Sequence, residues 1–333
     1  MSKIITLDQA LGDLSLSGLP SAGTTPEGLA AAGLAAAEPS TAKSATAALA
    51  STAPTSAQAP SPCPRIFDLH CDTLDALAMQ GVEPFLSQCS SKGLTDSDDL
   101  QSNPLQLSLK RMMAAGQWCQ CFAVWVPDDL SATGLSPHAF YDRVSAYFRE
   151  QVQKHHESVR QVFDGAQIEQ TAGTKGSQAQ PAPDSRVVAL LTVENASPLS
   201  DGIQVLDQMA SDGVKMITLT WNGPNCVGSG SQTLDGLTTF GKQVVSRMEQ
   251  LHMVVDVSHL NDAGFKDVLS CSTRPFVASH SNSRAVCGHP RNLTDYQFKA
   301  IAERGGLGAP LGALAPCNLV APAGPQPLDL GVD

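Results

Sequence analysis

MVVDVSHL (253–260) and RPFVASHSNSRAVCGHPRN (274–292) are two segments in which a short apolar run ends on a serine and a histidine. The two histidines are His259 and His280. Between the segments, Asn261 can cap a short helix whose apolar positions fall on one face. The order strand, helix, strand favours parallel pairing with a right-handed crossover. We therefore predict that both histidines lie at one edge of a parallel sheet, where two neutral imidazoles can bind a metal ion.

The length and composition allow a large α/β protein and argue against two kinds of partner. The chain has 333 residues, 42% of them hydrophobic, which is enough for a sizeable core. The formal net charge is -11 and no basic cluster is visible, so we expect no nucleic-acid or anionic-membrane surface. Irregularly spaced cysteines, with neither a secretory leader nor a membrane-spanning apolar run in the sequence, predict a cytoplasmic protein with reduced thiols.

Changes in composition divide the chain into three parts. Residues 1–62 are dominated by Ala, Ser, Thr, Pro and Gly, and we predict a disordered extension there. Residues 63–312 carry the hydrophobic periodicity of the folded part, interrupted by a Gly/Gln/Pro-rich surface loop at 171–185. Residues 313–333 are rich in Pro, Ala and Gly and are expected to be irregular.

Strand-like and helical segments alternate along the central part. The predicted strands are 67–74, 118–126, 187–193, 214–221, 253–257, 276–278 and 306–311. A long helix is predicted over 137–162, with His155 and His156 exposed to solvent on it. This alternation is typical of a (β/α)8 TIM barrel of the metal-dependent hydrolase type, although the sequence predicts no eighth strand. A doubly wound sheet is less favoured, because no Gly-rich phosphate loop follows the first strand.

Polar side chains at the ends of these strands are candidate metal ligands. His70 and Asp72 are two residues apart in an extended segment, so both side chains leave the same face. The alternative is an aspartate that caps the next helix beside a core histidine. Glu194 ends a strand that is apolar throughout, and a carboxylate buried there needs a cation, a metal or a helix terminus as its partner. Two metal ions need a carboxylate that can bridge them, and Glu194 is the natural bridge, with the other ligands divided between the two ions.

Several motifs give the sequence a resemblance to a known family. The similarity runs from about residue 67 to 306 and is closest to bacterial members of the membrane dipeptidase family, also called renal dipeptidase-like or peptidase family M19. The motifs are DLHCDTL, LLTVENA, ITLTWNGPN, GLTTFGKQVV, MVVDVSHLNDAGF and FVASHSNSRAVCGHPRNLTDYQFKAIAERGG. The last motif is long enough to be a specific signal, whereas H-x-D alone is a weak one.

The resemblance implies a metal centre with two zinc ions per chain. His70 and Asp72 are expected to bind one zinc ion. His259 and His280 are expected to bind the other, with Glu194 as the bridge between the two. A hydroxide held between the ions would then attack the peptide carbonyl.

The resemblance also implies residues that bind the substrate. Arg291 matches the arginine that family members use for the free carboxylate of the substrate; the alternative is a solvated loop arginine. Trp221 occupies a position where some members have a histidine that polarises the scissile carbonyl, so Trp221 and its neighbour Asn222 are candidate substrate-binding residues. The family's eighth strand carries an aspartate that handles the proton of the bridging water, and Asp329 and Asp333 are not assigned that role.

The function that the resemblance implies is zinc-dependent hydrolysis of dipeptides by a metallodipeptidase. One alternative is another dinuclear amidohydrolase or lactonase on the same barrel. A second alternative is a truncated, catalytically impaired form, because no eighth strand is predicted. The expected partners are dipeptide substrates, with a homodimer as the oligomer left open and with neither nucleic acid nor membrane.

Overall fold

The computed structural model of the chain describes residues 65–88, 93–172 and 185–309. The predicted extension at 1–62, the irregular part at 313–333 and most of the surface loop at 171–185 lie outside the described residues. The domain boundaries predicted from composition therefore stay predictions.

Strands and helices alternate throughout the described part. The strands are β1 (Arg65–Asp68), β2 (Gln117–Trp125), β3 (Val159–Gln161), β4 (Val187–Glu194), β5 (Val214–Thr218) and β6 (Val254–Asp256). The helices are α1 (Thr73–Ala78), α2 (Glu83–Gln88), α3 (Leu109–Ala115), α4 (Pro137–Lys154), α5 (Gly165–Ala172), α6 (Val205–Asp212), α7 (Thr239–Gln250), α8 (Asp262–Cys271) and α9 (Asp295–Glu303). A 3-10 helix spans Ser197–Asp201.

All six strands are parallel and form one sheet in the order β1-β2-β4-β5-β6, with β3 paired to the start of β4. The register aligns Trp125 with Glu194, Glu194 with Thr218, and Thr218 with Asp256. These residues end or nearly end their strands, so one row of side chains follows the carboxyl edge of the sheet. The curled parallel sheet with helices between its strands confirms the predicted TIM-barrel-like α/β fold.

The predicted strands are present, and most of them, though not β2 and β4, are shorter than the sequence suggested. The first strand ends at Asp68 and not at residue 74, because the chain turns there into helix α1. The last two predicted strands are reduced to isolated parallel bridges, which pair Asp256 with Val277 and Ala278 with Gly308. These two bridges extend the order of the sheet beyond β6, first to the 276–278 segment and then to the segment around Gly308.

The prediction of one helix over 137–162 is wrong beyond residue 154. Helix α4 ends at Lys154, and Val159–Gln161 forms strand β3. Val159 and Val162 are both buried, Val159 within strand β3 and Val162 just after it. The prediction that His155 is solvated is also wrong: its Nε2 lies 2.9 Å from Asp99 Oδ2 in a partly buried ion pair. His156 is exposed as predicted.

Strand β4 is buried along its whole length and divides the core into two clusters. Val188 and Leu190 join the smaller cluster, whereas Leu191 and Val193 join the larger one, which also receives the apolar faces of the helices. The change of cluster follows the two-residue period of a strand. Burial of each such apolar side chain stabilises the folded state by about 1.5–3 kcal/mol, so the position of the carboxyl end of β4 is well fixed.

Three helix caps, including the one predicted at Asn261, fix where helices begin near this edge. Asn261 Oδ1 accepts a hydrogen bond from Gly264 N at 2.8 Å, and Ser136 Oγ caps α4 ahead of Pro137. Thr294 and Gln297 form the reciprocal capping box of α9. Within the ranges that the structure describes, none of the helices combines the length and apolarity that a membrane span requires.

Candidate metal centre

Each of the predicted metal ligands lies at or just beyond the carboxyl end of a strand. Glu194 is the last residue of β4, and His70 follows β1 by two residues. His259 follows β6 by three residues and has a φ of 68°, in the left-handed region that non-glycine residues seldom adopt. His280 follows the bridge formed by Ala278. The barrel edge therefore brings together side chains that are up to 210 positions apart in sequence (280 − 70).

We define the β6 side of the centre as His259, His280 and the Oε1 atom of Glu194. Oε1 lies 2.7 Å from His259 Nε2 and 3.2 Å from His280 Nε2. The two Nε2 atoms are 3.0 Å apart. All three side chains are buried, with the imidazoles 7% and the carboxylate 4% exposed. Three potential ligand atoms thus converge on one point inside the protein.

The neighbour of His259 shows which of its nitrogens carries the proton. His259 Nδ1 lies 3.0 Å from Asn222 Oδ1, an amide oxygen that only accepts hydrogen bonds. The proton of a neutral His259 is therefore on Nδ1, and Nε2 presents a lone pair to Glu194 Oε1. Two lone pairs at 2.7 Å repel each other unless a cation lies with them. This arrangement fits a metal ion better than it fits an internal hydrogen bond.

We define the β1 side of the centre as His70, Asp72 and the Oε2 atom of Glu194. His70 Nε2 lies 2.9 Å from Asp72 Oδ1 and 3.4 Å from Glu194 Oε2. Asp72 is 55% exposed, and although it stands at the N-cap position of α1, its side chain makes no capping hydrogen bond. Its carboxylate faces the histidine instead, which favours the ligand interpretation over the capping one. The His70 ring stacks on His280, with the centroids 3.8 Å apart.

The pKa values of the histidines on the two sides are shifted in opposite directions. Burial, together with the charge of Arg291, lowers the pKa of His259 to about 4, and burial with the charge of His70 lowers that of His280 to about 3. Burial also lowers the pKa of His70, but the charges of Asp72 and Glu194 outweigh it and hold that pKa well above its usual range. Histidines on the β6 side are thus neutral at neutral pH, as metal ligands must be.

Glu194 has the charge state that a bridging ligand requires. Its burial raises the pKa of the carboxyl, but the neighbouring His70 and His259 lower the pKa by more, and it lies well below the usual range. An ionised carboxylate that is 4% exposed is stable only when its partners compensate for several kcal/mol of lost hydration. Its two oxygens face the two sides of the centre separately, an arrangement that would let one carboxylate contact two cations.

Arg291 is also part of this region and is not the solvated loop residue of the alternative interpretation. It is 4% exposed, and its guanidinium donates to Ser281 Oγ at 2.7 Å and to the His280 carbonyl at 2.9 Å. Among the described residues, no carboxylate forms a salt bridge with it. Burial lowers the pKa of Arg291 to about 10, so the group stays charged. A buried guanidinium without an anion is prepared to bind one from outside the chain.

The candidate substrate-binding residues Trp221 and Asn222 follow strand β5. Trp221 packs its edge against Trp125, with the ring centroids 5.1 Å apart, and lies 6.4 Å from the His259 ring. The Asn222 oxygen contacts His259, while its Nδ2 is buried and has no hydrogen-bond partner among the described residues. Asn222 thus has one atom committed to a ligand histidine and one donor free to bind another group.

The sequence prediction missed residues that hold this region together. Asn195, which has a φ of 74°, donates through Nδ2 to the Val126 carbonyl at 2.8 Å and to Asp128 Oδ1 at 3.1 Å. Asp128 in turn accepts from Gly223 N at 2.7 Å, next to Asn222. The Asn after the strand-ending Glu was the available signal, because asparagine is among the few residues that tolerate a left-handed conformation.

The residues present fit a metal centre by the chemistry of their donor atoms. Among the described residues, His70, Glu194 and His280 form a group whose ligand atoms all lie within 4.8 Å of one another. His259 adds a further imidazole and Asp72 a further carboxylate at 2.7 and 2.9 Å from members of that group. Imidazole nitrogens with carboxylate oxygens are the usual ligands of catalytic zinc.

A barrel-like parallel sheet with such a cluster at its carboxyl edge is the arrangement of the TIM-barrel-like metallohydrolase fold class. The family model described as membrane dipeptidase (peptidase family M19) matches residues 63–308. Because this match covers more than half of the chain, the chain belongs to that family, and the resemblance seen in the sequence is confirmed.

Curated relatives match only part of the chain. An "Uncharacterized protein in PQQ-III 3'region" of Acinetobacter calcoaceticus is 36% identical over 132 residues, which are 37% of this chain and 42% of that protein. "Dipeptidase 3" of Macaca fascicularis is 33% identical over 147 residues, 41% of this chain and 30% of that one. The chain thus spans less than half the length of these relatives.

A solved structure gives the same fold. It is a metallo peptidase from Rhodobacter sphaeroides, liganded with a phosphinate mimic of the dipeptide L-Ala-D-Ala. The similarity has a TM-score of 0.59 at 23% identity and covers 74% of this chain and 73% of that chain. At this level of identity the comparison supports the fold, and the chemistry of the site has to be argued from its own residues.

Proposed function

We propose that the chain is a zinc-dependent dipeptidase whose centre holds two zinc ions. The observation that carries the proposal is the convergence of three imidazoles on the two oxygens of Glu194, beside the buried and unpaired guanidinium of Arg291. His70, Asp72 and Glu194 Oε2 are the proposed ligands of one ion. His259, His280 and Glu194 Oε1 are the proposed ligands of the other.

The chain's own residues supply ligation, orientation and substrate binding. Bound zinc ions polarise a carbonyl and lower the pKa of water to about 7, so that hydroxide is available at neutral pH. Arg291 binds the C-terminal carboxylate of the substrate through a two-pronged contact, which places the only peptide bond of a dipeptide at a fixed distance from the centre. In a longer peptide only the last peptide bond lies at this distance from the terminal carboxylate, so cleavage of any other bond is disfavoured.

Two further residues are assigned to the substrate in this proposal. Asn222 Nδ2 donates a hydrogen bond to a substrate oxygen, which would satisfy a buried donor that otherwise lacks a partner. Trp221 forms an apolar wall beside His259. A tryptophan cannot replace the charge or acid-base capacity of a histidine, so bound zinc would have to supply the stabilisation of the carbonyl oxygen. A cytoplasmic location and a homodimer remain predictions, testable by fractionation and light scattering.

The decisive experiment combines metal analysis with a substrate panel. We expect about two zinc ions per chain and hydrolysis of dipeptides that a chelator abolishes and added zinc restores. The panel includes dipeptides, their C-terminal amides, a tripeptide and a lactone. Zinc with lactone but no dipeptide turnover would show a different dinuclear hydrolase, and zinc without any turnover would show the catalytically impaired form.

A further inference from the structure

Asp256 is a buried carboxylate next to the metal centre to which the proposed function assigns no role. It is the last residue of β6 and is fully buried. Its Oδ2 accepts from Thr218 Oγ1 at 2.6 Å and from Ser279 Oγ at 2.5 Å. Its Oδ1 accepts from the backbone N of Ser258 at 3.0 Å and of Ser279 at 2.9 Å. None of these partners carries a positive charge, so the arrangement is costly unless it has a further purpose.

The direction of the hydrogen bonds connects Asp256 to a proposed metal ligand. Ser279 Oγ lies 2.6 Å from His280 Nδ1 as well as 2.5 Å from Asp256 Oδ2. A serine hydroxyl has one proton, and a carboxylate can only accept, so that proton points at Asp256. The Ser279 oxygen must then accept from His280 Nδ1–H. A neutral His280 therefore has its lone pair on Nε2, the atom that faces Glu194.

We propose that Asp256 is a positioning residue of the metal centre, acting through Ser279 to hold His280 in the tautomer and orientation that metal binding requires. The inference rests on the proposed function, since it needs a metal centre at these residues. The other histidine of the β6 side is fixed differently, by the neutral amide of Asn222 at 3.0 Å. A carboxylate that is hydrogen-bonded to the far side of a ligand histidine also raises the basicity of that histidine, and a neutral amide has a smaller effect.

A purely structural role for Asp256 has to be separated from this one. The carboxylate also joins the ends of β5, β6 and the 276–278 segment, and its loss would loosen all three. Ser279→Ala breaks the link between Asp256 and His280, together with a 3.4 Å contact to Ser258 Oγ, and leaves the contacts of Asp256 with Thr218 Oγ1 and the two backbone amides. Ser145→Ala, in helix α4, is the matched control, because it also removes a fully buried hydroxyl but lies outside the centre.

The experiment measures zinc affinity of the metal-free full chain by competition with a chromophoric chelator, together with the visible spectrum of the Co(II) form. We expect Ser279→Ala and Asp256→Asn to weaken zinc binding by about 10- to 100-fold and to change the cobalt spectrum. Ser145→Ala should leave both at the wild-type level. Thermal unfolding of the metal-free proteins should show similar losses for the two serine variants, so Ser279→Ala remains informative even if Asp256→Asn does not fold.

Two outcomes separate this inference from the dipeptidase proposal. Equal zinc affinity and an unchanged cobalt spectrum in Ser279→Ala, in a protein that hydrolyses dipeptides, would overturn the positioning role and leave the dipeptidase intact. Weakened zinc binding in Ser279→Ala, with a wild-type protein that hydrolyses no dipeptide, would support the positioning role while the dipeptidase proposal fails.

Discussion

The β6 side and the β1 side of the centre use the same residue types but are prepared to different degrees. On the β6 side, both histidines are buried and neutral, and their Nδ1 atoms are hydrogen-bonded to Asn222 and Ser279. On the β1 side, His70 has a raised pKa and Asp72 is 55% exposed. One side has its lone pairs already directed at a common point, whereas on the other the charges of Asp72 and Glu194 raise the pKa of His70 and so favour its protonated form.

From this difference we expect the two proposed metal positions to differ in zinc affinity. A ligand set that is fixed before binding loses little conformational freedom when the cation arrives. An exposed carboxylate must be ordered, and a protonated imidazole must release its proton. We therefore expect the β6 side to bind the first zinc ion tightly and the β1 side to bind the second one more weakly.

The largest effect should come from removing the element that both sides share. Glu194→Gln replaces an ionised bridge with a neutral amide, so neither side retains its carboxylate oxygen. We expect zinc content to fall from two ions towards none and dipeptide hydrolysis to fall by about 10³-fold or more, which corresponds to several kcal/mol. Metal analysis after dialysis and a hydrolysis assay measure the two quantities.

Glu249→Gln is the matched control for that variant. Glu249 is also buried, but its carboxylate accepts from Thr273 and the Arg274 backbone, outside the centre. The Glu249→Gln variant should have a lower unfolding temperature than the wild type and the same zinc content. If Glu194→Gln retained both zinc ions, the shared carboxylate would not be the bridge and the comparison of the two sides would lose its basis.

The same substitution on each side tests the inequality directly. His280→Ala removes a proposed ligand itself and should weaken binding of the first zinc ion by more than about 100-fold. The loss of a residue that only hydrogen-bonds to a ligand costs up to about that factor. His70→Ala should leave one tightly bound zinc ion and remove the weaker one. Calorimetric titration of the metal-free variants gives both stoichiometry and affinity. Equal losses in the two variants would show that the sides are equivalent.

The five proposed ligands could be predicted because each follows a short apolar run, and parallel strands bring their carboxyl ends to one edge. The residues that prepare the β6 side could not be predicted in the same way. Asn222 and His259 are 37 positions apart, and their contact depends on how the loop after β5 folds back. Strand β3 was missed for a related reason: Val159 continues the helical spacing of α4, and only the end of the helix at Lys154 reveals the change.

Arg291 sharpens the comparison, because its guanidinium donates to the His280 carbonyl, so the proposed substrate anchor lies on the β6 side. Arg291→Met should raise KM for a dipeptide by about 10- to 100-fold, the value of one or two charge-assisted hydrogen bonds. The wild type should prefer a dipeptide to its C-terminal amide by a similar factor, and the variant should lose that preference.

Arg284→Met controls for the loss of an arginine from the same loop. Its guanidinium already pairs with Asp262 at 2.8 and 2.9 Å, so it is not available to a substrate. We expect an unchanged preference for the free carboxylate in this variant. A wild-type protein that cleaves the acid and the amide equally well would argue against Arg291 as the anchor.

The smallest effect should come from the helix cap behind the β6 side. Asn261 Oδ1 caps α8, and its Nδ2 donates to the carbonyls of Thr233 and Asp235 at 2.9 and 2.7 Å, so it joins α8 to the loop that follows Asn222. Asn261→Ala should cost about 1–2 kcal/mol of stability, as should Ser136→Ala at the cap of α4. Only Asn261→Ala should also weaken the first zinc ion, by a few-fold, because it lies two residues after His259. Equal zinc affinity in both cap variants, measured beside their thermal unfolding, would mean that the ligands of the β6 side keep their geometry without the cap.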